Sequence, residues 1–367
     1  MRCTRYTQND SLTVYTLRSR LARVFVPFVL VALSLSFAPP PVEQFPPRKR
    51  SAKELKQYEE KVDWFYKAKY GIMFHFVPNM HRFKTGRIEW TNEKWNAWVD
   101  AVDVDKVARQ ADEVGAGYMI LSISQGGGYA CAPNPVIERY WKLKPGESAS
   151  KRDLPMDLYH ALKKYDIPLM LYIATSAHHL PDQASEKAGW FGEGYKFTRC
   201  TPEGADHWAE ALQWYSDHYG DKVSGWWLDG LTEKAPGYRE KIHAAVIHGN
   251  SNALTTSATY ALSDFDHGHC VSNWKVQQKN TPNNGRWVKD YNIQWHAFQY
   301  LGRSWAARGT PHSTESVVEY ASNIIKGGGV ITFDIGAFDE KPKIIGPYLT
   351  IPDDQMKQLH AVREAIK

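Results

Sequence analysis

Short apolar runs alternate along this chain with stretches of helical periodicity, and this alternation most constrains its fold. Residues 118–123 and 168–173 are apolar runs of strand length, whereas residues 104–114 and 155–165 repeat apolar side chains at helical spacing. Strand and helix patterns alternate about eight times, which favours parallel strands joined by helical crossovers. The sequence therefore predicts an α/β fold, a (β/α)8 TIM-like barrel.

The remaining predicted elements leave one gap. No sixth strand is placed, because residues 264–291 are polar and irregular. No glycine fingerprint for a dinucleotide precedes a helix, so no cofactor is predicted. Strands are predicted at 69–76, 223–229, 253–259, 295–301 and 330–335, and helices at 205–219, 236–247, 315–325 and 353–366.

The first 38 residues read as an export signal. Arginines 18, 20 and 23 precede an apolar run of about fourteen residues, shorter than the roughly 20 of a membrane anchor, and Ser36-Phe37-Ala38 offers small residues for cleavage. Residues 39–50 are predicted to be a Pro-rich linker, and residues 51–367 to form the (β/α)8 domain. We expect a secreted or periplasmic protein without stable membrane insertion. The oligomeric state is left open.

Charge and composition narrow the partners. The chain carries a formal charge of +5, but most of it belongs to the signal segment, so no basic field favours nucleic acid. Aromatic residues make up 13%, with 14 Trp and 20 Tyr. Flat rings offer stacking faces, so this composition favours a carbohydrate partner over a small ionic one.

Asp229 is the first candidate for chemistry. It ends the apolar run that begins at Val223 and is followed by Gly230. In barrels of this kind the carboxyl ends of the strands carry the catalytic groups. The alternative is structural, since Asp-Gly is a common turn pair.

Three more polar residues fall at or just past predicted strand ends, namely His75, Gln125 and His178. Together with Asp229 they would converge on one pocket. Each also has a structural alternative, as a core or loop residue. Residues 264–269 are rich in Asp and His, but they lack a helical His pair, and no metal site is predicted.

Several motifs resemble those of the family 29 glycoside hydrolases, the α-L-fucosidases. Residues 64–75 resemble the family's opening Trp-Phe, Ala-Lys-Phe-Gly and Ile-His-Trp-Gly pattern, and Trp227-Leu228-Asp229-Gly230 resembles its Trp-Phe-Asp-Gly, whose Asp is the nucleophile. The resemblance implies a (β/α)8-like catalytic domain. The other similar motifs are Glu89-Trp90, Ser304-Trp305, Lys326-Gly327-Gly328, Asp334-Ile335-Gly336 and Ile351-Pro352.

The chain departs from this family at its sugar-binding positions. Gln125 and Gly126 replace two histidines that grip fucose hydroxyls, and Thr255-Thr256-Ser257 replaces Asn-Asp-Arg. The family's acid/base Glu falls on or near His269, and His296 stands where the family has the Glu of Trp-Glu. The residues predicted to bind substrate are His75, Trp90, Gln125, Tyr129, His178, Trp227 and Trp295.

Besides the nucleophile, retaining hydrolysis needs a general acid/base, a group that donates and accepts a proton, roughly 5 Å away. Asp266 and His269 are equal candidates, followed by Asp264 and Glu233. The sequence thus predicts a secreted glycoside hydrolase of fucosidase type with altered specificity and Asp229 as nucleophile. A non-catalytic carbohydrate-binding relative is the alternative, and a metal-dependent hydrolase is a third.

Overall fold

The structure is a computed structural model. It describes residues 50–78, 90–125, 128–177, 180–192, 198–258, 260–268, 283–288, 291–336 and 349–367. The signal and linker predictions lie outside these ranges, apart from Arg50. No helix in these ranges is long and apolar enough to cross a membrane.

Seven parallel strands form one curled sheet in the described part of the chain, in the order β6-β7-β1-β2-β3-β4-β5. The α/β class and the parallel sheet are confirmed. The architecture is consistent with a TIM-like barrel, but the described residues do not close the sheet. The strands are β1 (Tyr70–Phe74), β2 (Met119–Ser124), β3 (Leu169–Ala174), β4 (Val223–Asp229), β5 (Leu254–Ser257), β6 (His296–Tyr300) and β7 (Val330–Asp334).

Ten helices accompany the sheet in the same ranges. Their ends follow from local chemistry: Ser51 and Glu54 form a capping box at the start of α1, and Gly115 ends α3 with a φ of 74°. The helices are α1 (Ala52–Ala68), α2 (Asn92–Asp100), α3 (Val104–Val114), α4 (Pro135–Trp141), α5 (Leu154–Leu162), α6 (Asp182–Lys187), α7 (Pro202–Tyr219), α8 (Tyr238–Val246), α9 (Thr314–Lys326) and α10 (Asp353–Ile366).

Residues 260–268, which follow β5, form an irregular segment between β5 and β6, where no sixth strand was predicted. Asp264 N donates to Thr255 O at 2.7 Å on one side, and Phe298 N donates to Gly268 O at 2.9 Å on the other. The segment is bonded to both neighbours without a regular ladder. Its polar side chains bond to nearby backbone instead, as Asp264 does to Thr255 N, which competes with strand formation.

The inner face of the sheet carries a cluster of large side chains. Side chains alternate along β4, so Trp227 and Asp229 face this side of the sheet and Trp226 and Leu228 face the surrounding helices. In agreement, Trp227 packs in one hydrophobic cluster, and Trp226 and Leu228 pack in another. Phe65 of α1 packs on Tyr118, which directly precedes β2, with ring centroids 4.8 Å apart. Helix α1 therefore covers the amino ends of the strands and leaves the carboxyl ends for the site.

Candidate active site at the carboxyl ends of the strands

Asp229 is the last residue of β4 and is half-buried. Its backbone oxygen accepts hydrogen bonds from Thr175 N at 2.9 Å and Thr175 Oγ1 at 2.7 Å. Two donors from the residue that follows β3 thus fix the strand end. The carboxylate is presented at the carboxyl edge of the sheet on a rigid backbone, with part of its surface accessible.

Gln125 holds the Asp229 carboxylate from the neighbouring side. Its Nε2 donates to Asp229 Oδ2 at 3.2 Å and to Tyr172 Oη at 2.6 Å. An ionised carboxylate only accepts hydrogen bonds, so the amide nitrogen must face it. Gln125 Oε1 is buried, and the described residues offer it no partner. This arrangement joins the predicted residues Gln125 and Asp229 directly and adds Tyr172 as a second partner of Gln125.

His75 lies on the other side of Tyr172. Its ring centroid is 5.1 Å from that of Tyr172 and 4.7 Å from that of Trp305, edge-on in both cases. His75 Nδ1 lies 2.9 Å from Asp334 Oδ1, and both residues are 1% exposed. The imidazole is therefore clamped between two rings and one buried carboxylate at the ends of β1 and β7.

Trp227 lies beneath the site, on the inner face of the sheet. It is 5% exposed, and its ring lies 6.3 Å from Tyr172, 5.2 Å from Phe298 and 5.8 Å from His296. These contacts bury it among inner-face side chains. Its main contribution is to support Tyr172 and Phe298 from below.

Trp90 and Tyr129 lie together beside the loop that follows β2. Tyr129 Oη donates to Trp90 O at 3.4 Å, and the Tyr129 ring stacks on Trp95 at 5.7 Å. Trp90 packs edge-on against Trp95 and Trp98. Both predicted binding residues are thus anchored on α2, and Tyr129 closely follows Gln125 in the chain.

Trp295 does not join the Asp229 group. It directly precedes β6 and so lies at the amino end of that strand, where a Cβ on Gly327 or Gly329 would meet its ring at 2.8 Å. In a parallel sheet this is the end opposite Asp229. Adjacent His296 is buried, and it is bonded through Nδ1 to Asp266 O and through Nε2 to Thr332 Oγ1. Burial lowers the pKa of His296 to about 4.

The candidates for a second proton carrier are engaged elsewhere or lie outside the described residues. Asp266 N bonds to Gln294 O near the amino end of β6, and Asp266 Oδ1 accepts from Tyr260 Oη at 3.1 Å. Asp264 pairs with Lys61 of α1 at 2.9 Å. The contacts of both aspartates are thus with residues other than Asp229 and Gln125. His269 and His178 are outside the described residues.

Glu233 has a structural role in the loop after β4. Its Oε1 accepts from Gly237 N at 2.6 Å and Tyr238 N at 3.3 Å, and its Oε2 pairs with Arg239 at 3.2 Å. The side chain therefore occupies the unpaired N–H groups at the start of α8.

Lys234 adds a cation close to Asp229. Its Nζ donates to Gly230 O at 2.8 Å and to Thr232 Oγ1 at 2.9 Å, which closes the turn after β4. Burial lowers the pKa of Lys234 to about 8, against the opposing attraction of Cys200, Asp229 and Glu233. A lysine with this pKa changes charge just above neutral pH.

Three residues of this site escaped the sequence analysis as site residues: Tyr172, Asp334 and Lys234. Tyr172 sits inside an apolar run and reads as core, and Asp334 appeared only as part of a motif. The signal for Asp334 was its position next to the last residue of the strand predicted at 330–335, close to the end that the rule for Asp229 selects. In the described ranges, no three His, Cys, Asp or Glu side chains converge as a metal site would require.

Comparison with known proteins finds likeness in structure alone. No protein-family model and no curated protein sequence matches this chain. Two endo-fucoidan hydrolases of glycoside hydrolase family 107 share its fold. MfFcnA4 has a TM-score of 0.63 at 15% identity and MfFcnA9 a TM-score of 0.63 at 18% identity, over 85% and 84% of this chain. The aligned part spans only 54% and 64% of those proteins.

The α-L-fucosidase AlfC from Lactobacillus casei, in complex with α-L-fucose, has a TM-score of 0.54 at 16% identity. This likeness covers 83% of this chain and 97% of that protein. At such identities the comparisons establish the fold. They do not single out family 29.

Proposed function

We propose that this chain is a glycoside hydrolase in which Asp229 is the nucleophile of a retaining mechanism. The observation that carries the proposal is the half-buried Asp229 carboxylate at the carboxyl end of β4, held by Gln125 from β2. It occurs in a fold shared with glycoside hydrolases. Leaving a charged group in this position is costly unless it is paired or used.

The proposed reaction has two balanced steps. A carboxylate oxygen of Asp229 attacks the anomeric carbon as the bond to the leaving oxygen breaks, and the leaving oxygen takes a proton from an acid. Water then attacks the same carbon, its proton returns to that acid, and the Asp229 ester bond breaks. Gln125 Nε2 keeps Asp229 oriented through its hydrogen bond to Oδ2. His269 is the proposed acid.

The proposed substrate is a neutral sugar of the α-L-fucose type. Accessible acceptors on Asp229 and the unpartnered Gln125 Oε1 suit hydroxyl donors. The names of the structural neighbours, endo-fucoidan hydrolase and α-L-fucosidase, point to the same sugar. Secretion is proposed from the arginines and apolar run at the start of the chain.

A non-catalytic carbohydrate-binding protein is the second candidate. The placement of Asp264, Asp266 and Glu233 favours it, because none of these carboxylates is directed to the end of β4 in the contacts given above. Such a protein would bind sugar at the same carboxyl ends of the strands, around Asp229, without turnover.

Hydrolysis of a panel of aryl glycosides, α-L-fucoside included, separates the two candidates. We expect turnover by the wild type and a loss of roughly 10³-fold or more in Asp229→Asn. The matched control is Asp157→Asn, an aspartate on α5 paired with Arg152, which should retain activity. No turnover across the panel, with sugar-induced quenching of Trp fluorescence, would establish the binding protein instead.

A further inference from the structure

Asp334 is a buried carboxylate with two partners from different elements. Oδ1 lies 2.9 Å from His75 Nδ1, after β1, and Oδ2 accepts from Ala306 N at 2.6 Å, in the segment that follows β6. Asp334 is 1% exposed. Burying a carboxylate is costly unless its oxygens accept hydrogen bonds. The Asp334 carboxylate therefore depends on both His75 and the Ala306 amide as donors.

The first contact fixes the tautomer of His75. An ionised carboxylate is an acceptor only, so the hydrogen must sit on Nδ1. In the neutral imidazole Nε2 is then a hydrogen-bond acceptor. No residue in the described ranges bonds to Nε2. The lone pair of Nε2 is therefore left for a ligand.

The second contact fixes the wall beside His75. Ala306 adopts a φ of 51°, in the left-handed region that non-glycine residues rarely adopt. Trp305 precedes it, packs edge-on against His75 and stacks on Phe298 at 4.9 Å. Asp334 thus holds the strained turn that presents Trp305.

We propose that Asp334 is a positioning and specificity-determining residue. It makes His75 present an acceptor, beside the Trp305 ring, to a hydroxyl hydrogen of a neutral polyhydroxylated ligand. Gln125 Oε1 and Asp229 add hydrogen-bond acceptors at the same end of the sheet. A ligand with several hydroxyl donors and one apolar face fits this set. The ligand class rests on the proposed function, whereas the tautomer of His75 does not.

Asp334→Asn tests this directly because the two partners make unequal demands. Ala306 N–H can only donate, so it requires the amide oxygen of Asn. The amide NH₂ then faces His75 Nδ1, which must give up its hydrogen, and the proton moves to Nε2. The substitution would convert His75 from an acceptor to a donor with almost no change in shape.

The experiment is ¹⁵N NMR of histidine-labelled full-length protein at about pH 8, where an unperturbed imidazole is neutral. His75 is assigned through its contacts with the Tyr172 and Trp305 rings. We expect the Nδ1–H tautomer in the wild type and Nε2–H in Asp334→Asn. His296, whose Nδ1 faces the carbonyl of Asp266, is the internal control and should stay Nδ1–H in both. An Nε2–H tautomer of His75 in the wild type would overturn the proposal, even where the variant fails to fold.

Binding of α-L-fucose, followed by Trp fluorescence, provides the second measurement. We expect affinity to fall about tenfold or more in Asp334→Asn, equivalent to the loss of one buried hydrogen bond. Asp153→Asn is the matched control, because it alters another His–Asp pair, with His218 at 2.7 Å, on the outer helices. Equal loss in both variants would refute a specific role. A switched tautomer with no α-L-fucose bound by any form would uphold the positioning of His75 by Asp334 and refute the proposed sugar.

Discussion

His296 should make folding stability depend on pH in a defined window. Burial lowers its pKa to about 4, while the hydrogen bond to Asp266 O and the Asp266 charge oppose that shift. In the unfolded chain a histidine titrates near 6.5. Between about pH 6.5 and 4 the unfolded state therefore binds a proton that the folded state does not. The free energy of unfolding falls as the pH falls through this window and is independent of His296 above it.

The magnitude follows from the size of the pKa difference. A shift of about 2.5 units corresponds to about 3 kcal/mol at roughly 1.4 kcal/mol per unit. Other groups titrate in the same range, so the informative quantity is the difference between the wild type and a variant that lacks this imidazole. In His296→Gln the side chain is neutral at every pH.

Urea unfolding at a series of values from about pH 7 to pH 4.5 measures this difference. We expect His296→Gln to be less stable than the wild type at pH 7, because it loses the bonds to Asp266 and Thr332. That gap should shrink by up to about 3 kcal/mol on acidification. His360→Gln, at an exposed site on α10, should show no such trend. A gap that stays constant within about 0.5 kcal/mol would refute a buried, neutral His296.

Three further predictions concern the site. Trp227→Ala should lower the free energy of unfolding by about 3–5 kcal/mol, because the ring is buried against Tyr172 and Phe298; half-buried Trp214→Ala on α7 should cost less in the same urea assay. Tyr172→Phe should lower kcat/KM by about tenfold, since Gln125 Nε2 loses its 2.6 Å partner, and an unchanged value would contradict that role. Activity should decline above about pH 8 as Lys234 loses its proton. Lys234→Arg should move this decline upward, and Lys164→Arg on the surface should leave it in place.

The sheet could be predicted because its physical signal is local. The strands at 118–123 and 168–173 were located within one residue of β2 and β3, since short apolar runs bounded by helices leave little choice. Asp229 was predicted for the same reason, as the polar end of such a run. The helix at 353–366 was also placed with its observed bounds.

The rest depended on tertiary contacts that one-dimensional spacing does not contain. Tyr172 looks like core until its hydroxyl is found beside Gln125. Trp295 was predicted to bind substrate, but it directly precedes β6 and so lies at the amino end of that strand. The segment around Asp264 and Asp266 could not be placed. Its polar side chains bond to neighbouring backbone groups, as Asp264 Oδ2 does to Thr255 N, in place of regular backbone bonds between strands.

The central claim, that Asp229 is a nucleophile, is tested most directly by azide rescue of Asp229→Ala. Removing the carboxylate next to the anomeric carbon leaves space for a small anion. The account predicts that the variant loses roughly 10³-fold or more of the wild-type rate. Azide should restore much of that rate and yield a glycosyl azide of inverted anomeric configuration. Full activity of Asp229→Ala without azide, or hydrolysis by the wild type with no rescue and no azide product, would contradict it.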